Sequence, residues 1–449
     1  MTIDHSATGR ENDTGPLDLA GIGVGPFNLS LAAVLDGLPG VSARFFERKP
    51  VFSWHPGLML PGSVLQTSFL KDLVTPLMPT SPHSFTNFLV AKKRFYDFAS
   101  GRFGGVSRAE FSEYLAWAAE RIASVEMGAQ IEEVTLGKGG FHLRRADGEQ
   151  VTARNLSLGT GMRPHVPASA APHLGDRCFH ASEFVLRAPR VAGRRVAVVG
   201  GGQTGAEIVL HLLGLGDGPA HVSWINRRPR FAPLEEGAFV DQVFTPAYVA
   251  AYRSLPAAAQ RAETADLKLA SDGLTPSTIE ALYTELYRRT HLGDQPDSFA
   301  LLPGRSMTRM MPGAAGFRLS LWAEAAAREE QLEADLVILA TGAEPFVPAC
   351  LDPIRERLEI DATGRLKLDE TYRAAWDGPE GHNIFALNHG GASHGIVDPQ
   401  LSLMAWRSGV IANTLVRRPQ FDVSAGPSLV DWAGGQPGAS AEMALRMAG

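Results

Sequence analysis

A chain of 449 residues, 45% hydrophobic and 20% charged, has the composition of a folded enzyme and excludes an extensively disordered protein. Its net charge of −6, with no basic stripe along the sequence, argues against a nucleic-acid binder. Cys178 and Cys350 are its two cysteines; they fit a reducing compartment, with neither a disulfide framework nor a metal pattern.

The opening stretch MTIDHSATGRENDTGP has no apolar core of the signal-peptide kind. It reads as a disordered tail over 1–16, and the protein is expected to be cytoplasmic. The apolar segment 17–38 is broken by Asp18, four glycines, Pro26 and Asn28, so it is a strand and a helix and not a membrane span. Within it, LDLAGIGVGPFNLSLAAVL reads as strand, glycine turn and helix. Gly21, Gly23 and Pro26 fall where G-x-G-x-x-G has its glycines, and Gly25 precedes the helix. Gly21 permits the tight turn, Gly23 lets the backbone approach a pyrophosphate, and Pro26 suits an early helical position. ARFFERKP follows as a second strand, and Glu47 at its end can accept hydrogen bonds from ribose hydroxyls while repelling a 2′-phosphate. This cradle suits FAD or NAD.

ARNLSLGTG (153–161) is a further strand closing on a glycine turn. A second cradle then begins at RRVAVVGGGQTGAEIVLHLL, with the regular fingerprint in Gly200, Gly202 and Gly205. Here the strand HVSWINRRPRF ends in arginines and not in an acid. Arg227 or Arg228 can pair bidentately with a phosphate, the exchange that selects NADPH over NADH. Further on, LTPSTIEALYTELYRR reads as a helix capped by Thr275 with Pro276 in its first turn. Its Ile279, Leu282, Tyr283 and Leu286 recur at helical spacing and are expected to pack between helices. EADLVILATG is another strand closing on Thr-Gly.

The expected architecture is α/β, with two Rossmann-like dinucleotide-binding domains and a small helical substrate-binding insertion. FAD would sit in the first domain (17–188 and 335–432) and NADPH in the second (193–236 and 300–334), with the insertion over 237–299. No C-x-x-C or C-x₄-C pair exists, so a disulfide reductase is out, and oxygen or another electron carrier is left as acceptor.

Five stretches carry a resemblance: GPFNLSLA, FSWHPGLMLPGSVLQTSFLKDLVTPLMPTSPHSFTNFL, GGGQTGAE, AFVDQVFTPAYV and HGIVDPQLSLMAWR. In this order they are similar to the flavin-dependent N-hydroxylating monooxygenases, the ornithine and lysine N-monooxygenases of siderophore pathways. The similarity spans about 17–432 and is nearest to the aerobactin-type lysine branch, with diamine N-monooxygenases as near relatives. It implies that NADPH reduces FAD, that oxygen is activated as a C4a-hydroperoxide, and that a neutral terminal amine takes one oxygen atom. It also implies that Gln66 is the catalytic glutamine beside the reactive flavin edge, that Leu65 packs on the ring, and that Lys71 pairs with an amino-acid carboxylate. Trp54, His55 and Pro56 would embrace the cofactor; Leu401, Ser402 and Leu403 would lie near isoalloxazine and substrate. Gln203 and Thr204 would lie over the nicotinamide, and Arg227 would hold the 2′-phosphate.

Two asparagines of the ornithine branch stand here as Asp241 and Ser271. An aspartate favours an ammonium, whereas Lys71 favours a carboxylate; L-lysine satisfies both and comes before putrescine or cadaverine. A flavin reductase or NADPH oxidase is the remote alternative. Without the resemblance, Lys71 reads as a surface or salt-bridged lysine next to Asp72, and Asp241 as a helix cap. Ala343 stands where many members have a tyrosine. The expected partners are the amine and O2, with no nucleic acid and no membrane, in a homo-oligomer that the resemblance makes a tetramer.

Overall fold

In the computed structural model, which describes residues 15–293 and 295–432, one mixed and one wholly parallel sheet form around two glycine turns. The tail expected over 1–16 lies outside the described residues except for Gly15 and Pro16. The first sheet has the strand order Val125–Met127, Ala43–Glu47, Leu17–Ile22, Gln150–Leu158, Gly140–Arg145, Ile131–Gly137. Ile384–Ala386 also pairs with Gln150–Leu158, which is thereby shared. Its last residues run parallel to Ile384–Ala386 and its first residues antiparallel to Gly140–Arg145. Apolar runs such as Leu19, Phe45, Phe46, Leu156 and Ile384 are wholly buried because both faces are covered. The helices Pro26–Leu35, Arg108–Ala119 and Met404–Val416 cover one face. The antiparallel strands and the 3-10 segment Ala349–Arg357 cover the other.

The second sheet is wholly parallel, in the order Phe299–Pro303, His221–Asn226, Arg195–Val199, Leu336–Leu339, Cys178–His180. Strand pairing therefore corrects two expected boundaries. Cys178–His180, expected with the first unit, and Leu336–Leu339, expected with its return, both hydrogen-bond into the second sheet. The antiparallel meander Arg305–Pro312, Phe317–Ala323 and Arg328–Ala334 packs on one face of it. The chain passes between the units through a two-stranded ribbon, Arg163–Pro164 against Ala343–Glu344. Ala343, exposed opposite Pro164, belongs to this ribbon.

The helical insertion divides between the units. Tyr248, Val249 and Tyr252 of the helix Pro246–Ser254 share a core with Ile396, Val397 and Leu403. Leu282 and Leu286 of the helix Pro276–Tyr287 pack instead on the second unit, and Thr275 caps this helix by accepting the N–H of Thr278. Tyr283 does not pack between helices as expected: it is 71% exposed, because the helix has only one neighbour-facing stripe, which Leu282 and Leu286 occupy. Among the described residues no helix is long and apolar enough to cross a membrane.

Candidate active site

The two cradles are built alike. Gly23 donates its N–H to Phe46 O at 2.8 Å, and Gly200 donates to Ile225 O at 2.9 Å, so each turn hangs from the neighbouring second strand. Gly23 has φ +81° and Gly200 φ +130°, conformations that favour glycine. A Cβ at Gly23 would meet Gly159 O at 2.8 Å; one at Gly200 would meet Ala340 O at 2.0 Å. Gly205 is needed for close packing, since its Cβ would meet Gly200 O at 2.2 Å. Gly25 and Gly202 precede the helices Pro26–Leu35 and Gln203–Gly214, and neither helix start carries a side-chain cap. The free amide groups of both starts are thus left for an anion, which fits the phosphates of a dinucleotide.

The cradles differ where their second strands end. Glu47 Oε2 accepts the Val24 N–H at 2.8 Å and Oε1 the Lys49 N–H at 3.1 Å, so a carboxylate is fixed beside the first turn. Asn226 takes the equivalent place beside the second turn. It folds the following arginines, accepting from Arg228 N at 3.1 Å and donating to Arg230 O at 2.9 Å. Arg227 is exposed with no carboxylate partner among the described residues, and Arg228 reaches only the Asp272 carbonyl, at 3.5 Å. A neutral amide and free guanidinium groups suit a 2′-phosphate; the fixed carboxylate of the first cradle does not.

The loops between the cradles bring several expected residues together. Trp54 packs edge-on to Phe111, and His55 turns the chain at φ 46° into Pro56–Leu58. Leu65 is half-buried against the first core and donates its N–H to Val106 O, leaving the Gln66 side chain exposed. Thr67 Oγ1 lies 3.5 Å from the Ser402 hydroxyl, joining the Gln66 loop to the segment Leu401–Leu403. Lys71 is half-buried: desolvation lowers its pKa and the nearby Asp241 carboxylate opposes that shift. Asp241 is exposed at a 3-10 turn and caps no helix; Thr245 caps the next one. Nor is Lys71 paired with Asp72. That carboxylate is buried and accepts from the backbone of Val74, Thr75 and Phe85, which shapes the whole loop.

Three of the expected site residues are held by partners of their own. The Gln203 side chain donates to Glu207 and Thr278 and accepts the Thr275 N–H at 2.9 Å, tying the cradle to the insertion. Thr204 beside it is half-buried with its hydroxyl unengaged. Ser271 bonds within its own short helix, to Lys268 O, and among the described residues it forms no hydrogen bond with Lys71 or Asp241. Leu403 is buried in the apolar core of the insertion. Two site-shaping groups had no place in the expectations. Asn28 donates to Gly23 O and Ser157 O and accepts the Ser157 hydroxyl at 2.6 Å, stapling the first turn to the neighbouring strand. Arg108 forms a bidentate pair with Glu207, at 3.1 and 3.2 Å.

Two Rossmann-type units with opposed specificity at their second strands define a two-dinucleotide oxidoreductase. Residues 15–345 match the model of the L-lysine 6-monooxygenase/L-ornithine 5-monooxygenase family, and the chain belongs to that family. It is 40% identical to the L-lysine N6-monooxygenase of Escherichia coli, over 93% of this chain and 99% of that one. The FAD-bound cadaverine monooxygenase of the desferrioxamine pathway of Erwinia amylovora superposes with a TM-score of 0.84 at 31% identity, over 93% and 99% of the two chains. The ornithine N-hydroxylase of Kutzneria sp. 744, with reduced FAD, NADP+ and L-ornithine, gives 0.82 at 30% identity, over 90% and 99%.

Proposed function

We propose that the protein N-hydroxylates the side-chain amine of L-lysine, with FAD in the first cradle and NADPH in the second. The observation that carries the substrate is the pairing of charges at one site: Lys71 and Asp241 sense each other without an ion pair within 4 Å. Among the described residues neither side chain forms an ion pair, so each can take a group of the opposite sign. Lys71 would hold the α-carboxylate and Asp241 the α-ammonium, which leaves the far amine to reach the reacting centre. When bound, the two cofactors supply the hydride and the activated dioxygen. The chain's task is to bind the amine, orient it and keep it neutral. An amine held away from water loses its proton more readily. Gln66, exposed beside the Thr67–Ser402 contact, is the side chain proposed to face the reacting edge of the flavin.

The Asp241 carboxylate, without an ion pair among the described residues, also suits the distal ammonium of cadaverine or putrescine, the second reading. Purified protein with FAD, NADPH and O2 is offered lysine, ornithine, cadaverine and putrescine in turn, and hydroxylamine product is measured against peroxide. Product with lysine supports the first reading; product confined to a diamine overturns it in favour of the second. A hydroxylamine so formed would serve a hydroxamate siderophore. Buried Cys178 and Cys350, with no disulfide between them, support a cytoplasmic setting.

A further inference from the structure

A continuous chain of side-chain hydrogen bonds runs from the first unit, through the second cradle, to the helical insertion. It starts at the Leu58 carbonyl, which ends the turn following Trp54 and His55 and accepts from Arg108 Nη1 at 2.8 Å. Arg108, at the start of the helix Arg108–Ala119, then grips both oxygens of Glu207 on the helix Gln203–Gly214. Glu207 Oε1 also accepts from Gln203 Nε2 at 3.1 Å. Gln203 is the first residue of that helix, next to the free amides of the second cradle. Its amide passes the chain on to the Thr278 hydroxyl at 2.8 Å and to the Thr275 N–H at 2.9 Å. The charged pair is largely shielded, with Arg108 15% and Glu207 8% exposed.

Each link has a geometric consequence. A bidentate guanidinium–carboxylate pair fixes both distance and plane, unlike a single-point lysine contact. A shielded pair is little screened by salt, and removing one partner leaves a costly lone charge. Gln203 uses both ends of its amide, so it cannot turn without losing all three bonds. The Leu58 turn and the second cradle therefore cannot shift independently.

We infer that Arg108 and Glu207 are positioning residues for hydride transfer, holding the two cradles at the separation that the transfer requires. This rests on the two-cofactor reading above and not on which amine is the substrate. A hydride crosses only between closely placed atoms, and displacements of about 1 Å cost on the order of a hundredfold in rate.

The test compares wild type, Glu207→Gln and Arg108→Lys as FAD-loaded protein reduced anaerobically by saturating NADPH, with no amine present. Wild-type reduction checks the two-cofactor reading by itself; failure there is a failure of that reading. In Glu207→Gln the rate constant of reduction is expected to fall at least about tenfold, and in Arg108→Lys about three- to tenfold. FAD content is expected to stay unchanged. The second readout uses cofactor-free protein: amide hydrogen exchange at Thr275, whose N–H is held by Gln203, is expected to rise about fivefold or more in Glu207→Gln. Reduction within twofold of wild type, or unchanged exchange at Thr275, overturns the inference. If Glu207→Gln does not retain flavin, the same two readings in Arg108→Lys decide the matter.

Discussion

The backbone N–H of Val24, inside the first glycine turn, donates to the carboxylate of Glu47 at 2.8 Å. The acid at the end of the second strand is thus fixed by the turn that receives the phosphates, and it is 8% exposed. Glu47→Gln keeps the shape but can turn an NH2 group toward the Val24 or Lys49 N–H. FAD affinity is expected to fall by about 10- to 100-fold, the worth of one charged hydrogen bond. Fluorescence titration of flavin-free protein measures it, and unchanged affinity would show that Glu47 is purely structural.

Lys71→Ala is expected to raise KM for lysine by about 10- to 100-fold while flavin reduction by NADPH stays as in the wild type. Burial lowers the Lys71 pKa, so its hold on a carboxylate is expected to weaken as pH rises, at a lower pH than for an exposed lysine. Equal saturation by lysine in mutant and wild type would remove the carboxylate-partner role.

Arg227→Ala should reduce the preference for NADPH over NADH by about 10- to 100-fold, since the exposed guanidinium has no carboxylate to satisfy it. Stopped-flow reduction with each nucleotide gives the ratio. A preserved ratio would pass the role to Arg228, whose guanidinium contacts only a carbonyl.

Acid should destabilise the protein well above the carboxylate range. His394 and His389 are buried, and burial lowers their pKa values to about 3 and about 4. His389 Nδ1 accepts the Leu366 N–H at 3.0 Å, which the neutral ring alone can do. The unfolded chain binds these protons below about pH 6.5 and the folded chain does not. Stability therefore rises with pH across this window and is lost as pH falls toward 4, by about 1.4 kcal/mol per unit for each ring. Urea melts from pH 7.5 to 4.5 test it: His389→Gln should flatten the dependence, and an unaltered slope would count against the assignment.

Asn28→Ala removes a buried amide that satisfies Gly23 O, Ser157 O and the Ser157 hydroxyl together. It is expected to cost about 2–4 kcal/mol and to loosen flavin binding. A chemical melt of the flavin-free protein reads the first effect and flavin titration the second; a variant as stable as wild type would show that the staple is dispensable.

Both cradles were legible in the sequence because a glycine turn is local: Gly23 and Gly200 lie within a few residues of the strand and helix they join. The acid-for-arginine contrast was legible for the same reason, since Glu47 and Arg227 each end the next strand. The sheet membership of Cys178–His180 and Leu336–Leu339 was not. A buried parallel strand is an apolar run whatever its partner, so its sequence does not say which sheet it joins. Asn28 carried a faint signal, as a lone amide in an apolar helix, but its partner Ser157 lies 129 residues away. Arg108 and Glu207 carried none: each reads as an ordinary charge on a helix, and 99 residues separate them. The charges of Lys71 and Asp241 became informative only through the resemblance. For Gln203, whose amide is taken up by Glu207, Thr278 and Thr275, an aligned position does not say which bonds the side chain makes.

The ribbon of Arg163–Pro164 against Ala343–Glu344 makes the second unit a cassette. The chain enters and leaves it on adjacent strands, and Leu339 pairs with His180 just inside. Lengthening or trimming the meander loops at 313–316 and 324–327 therefore leaves the entry and exit side by side, and acts away from the first sheet. The nucleotide-reading half can be remodelled there while the flavin half keeps its register; an exchange of the whole half would have to keep Glu207 for Arg108 and the core that Tyr248 and Tyr252 share with Ile396.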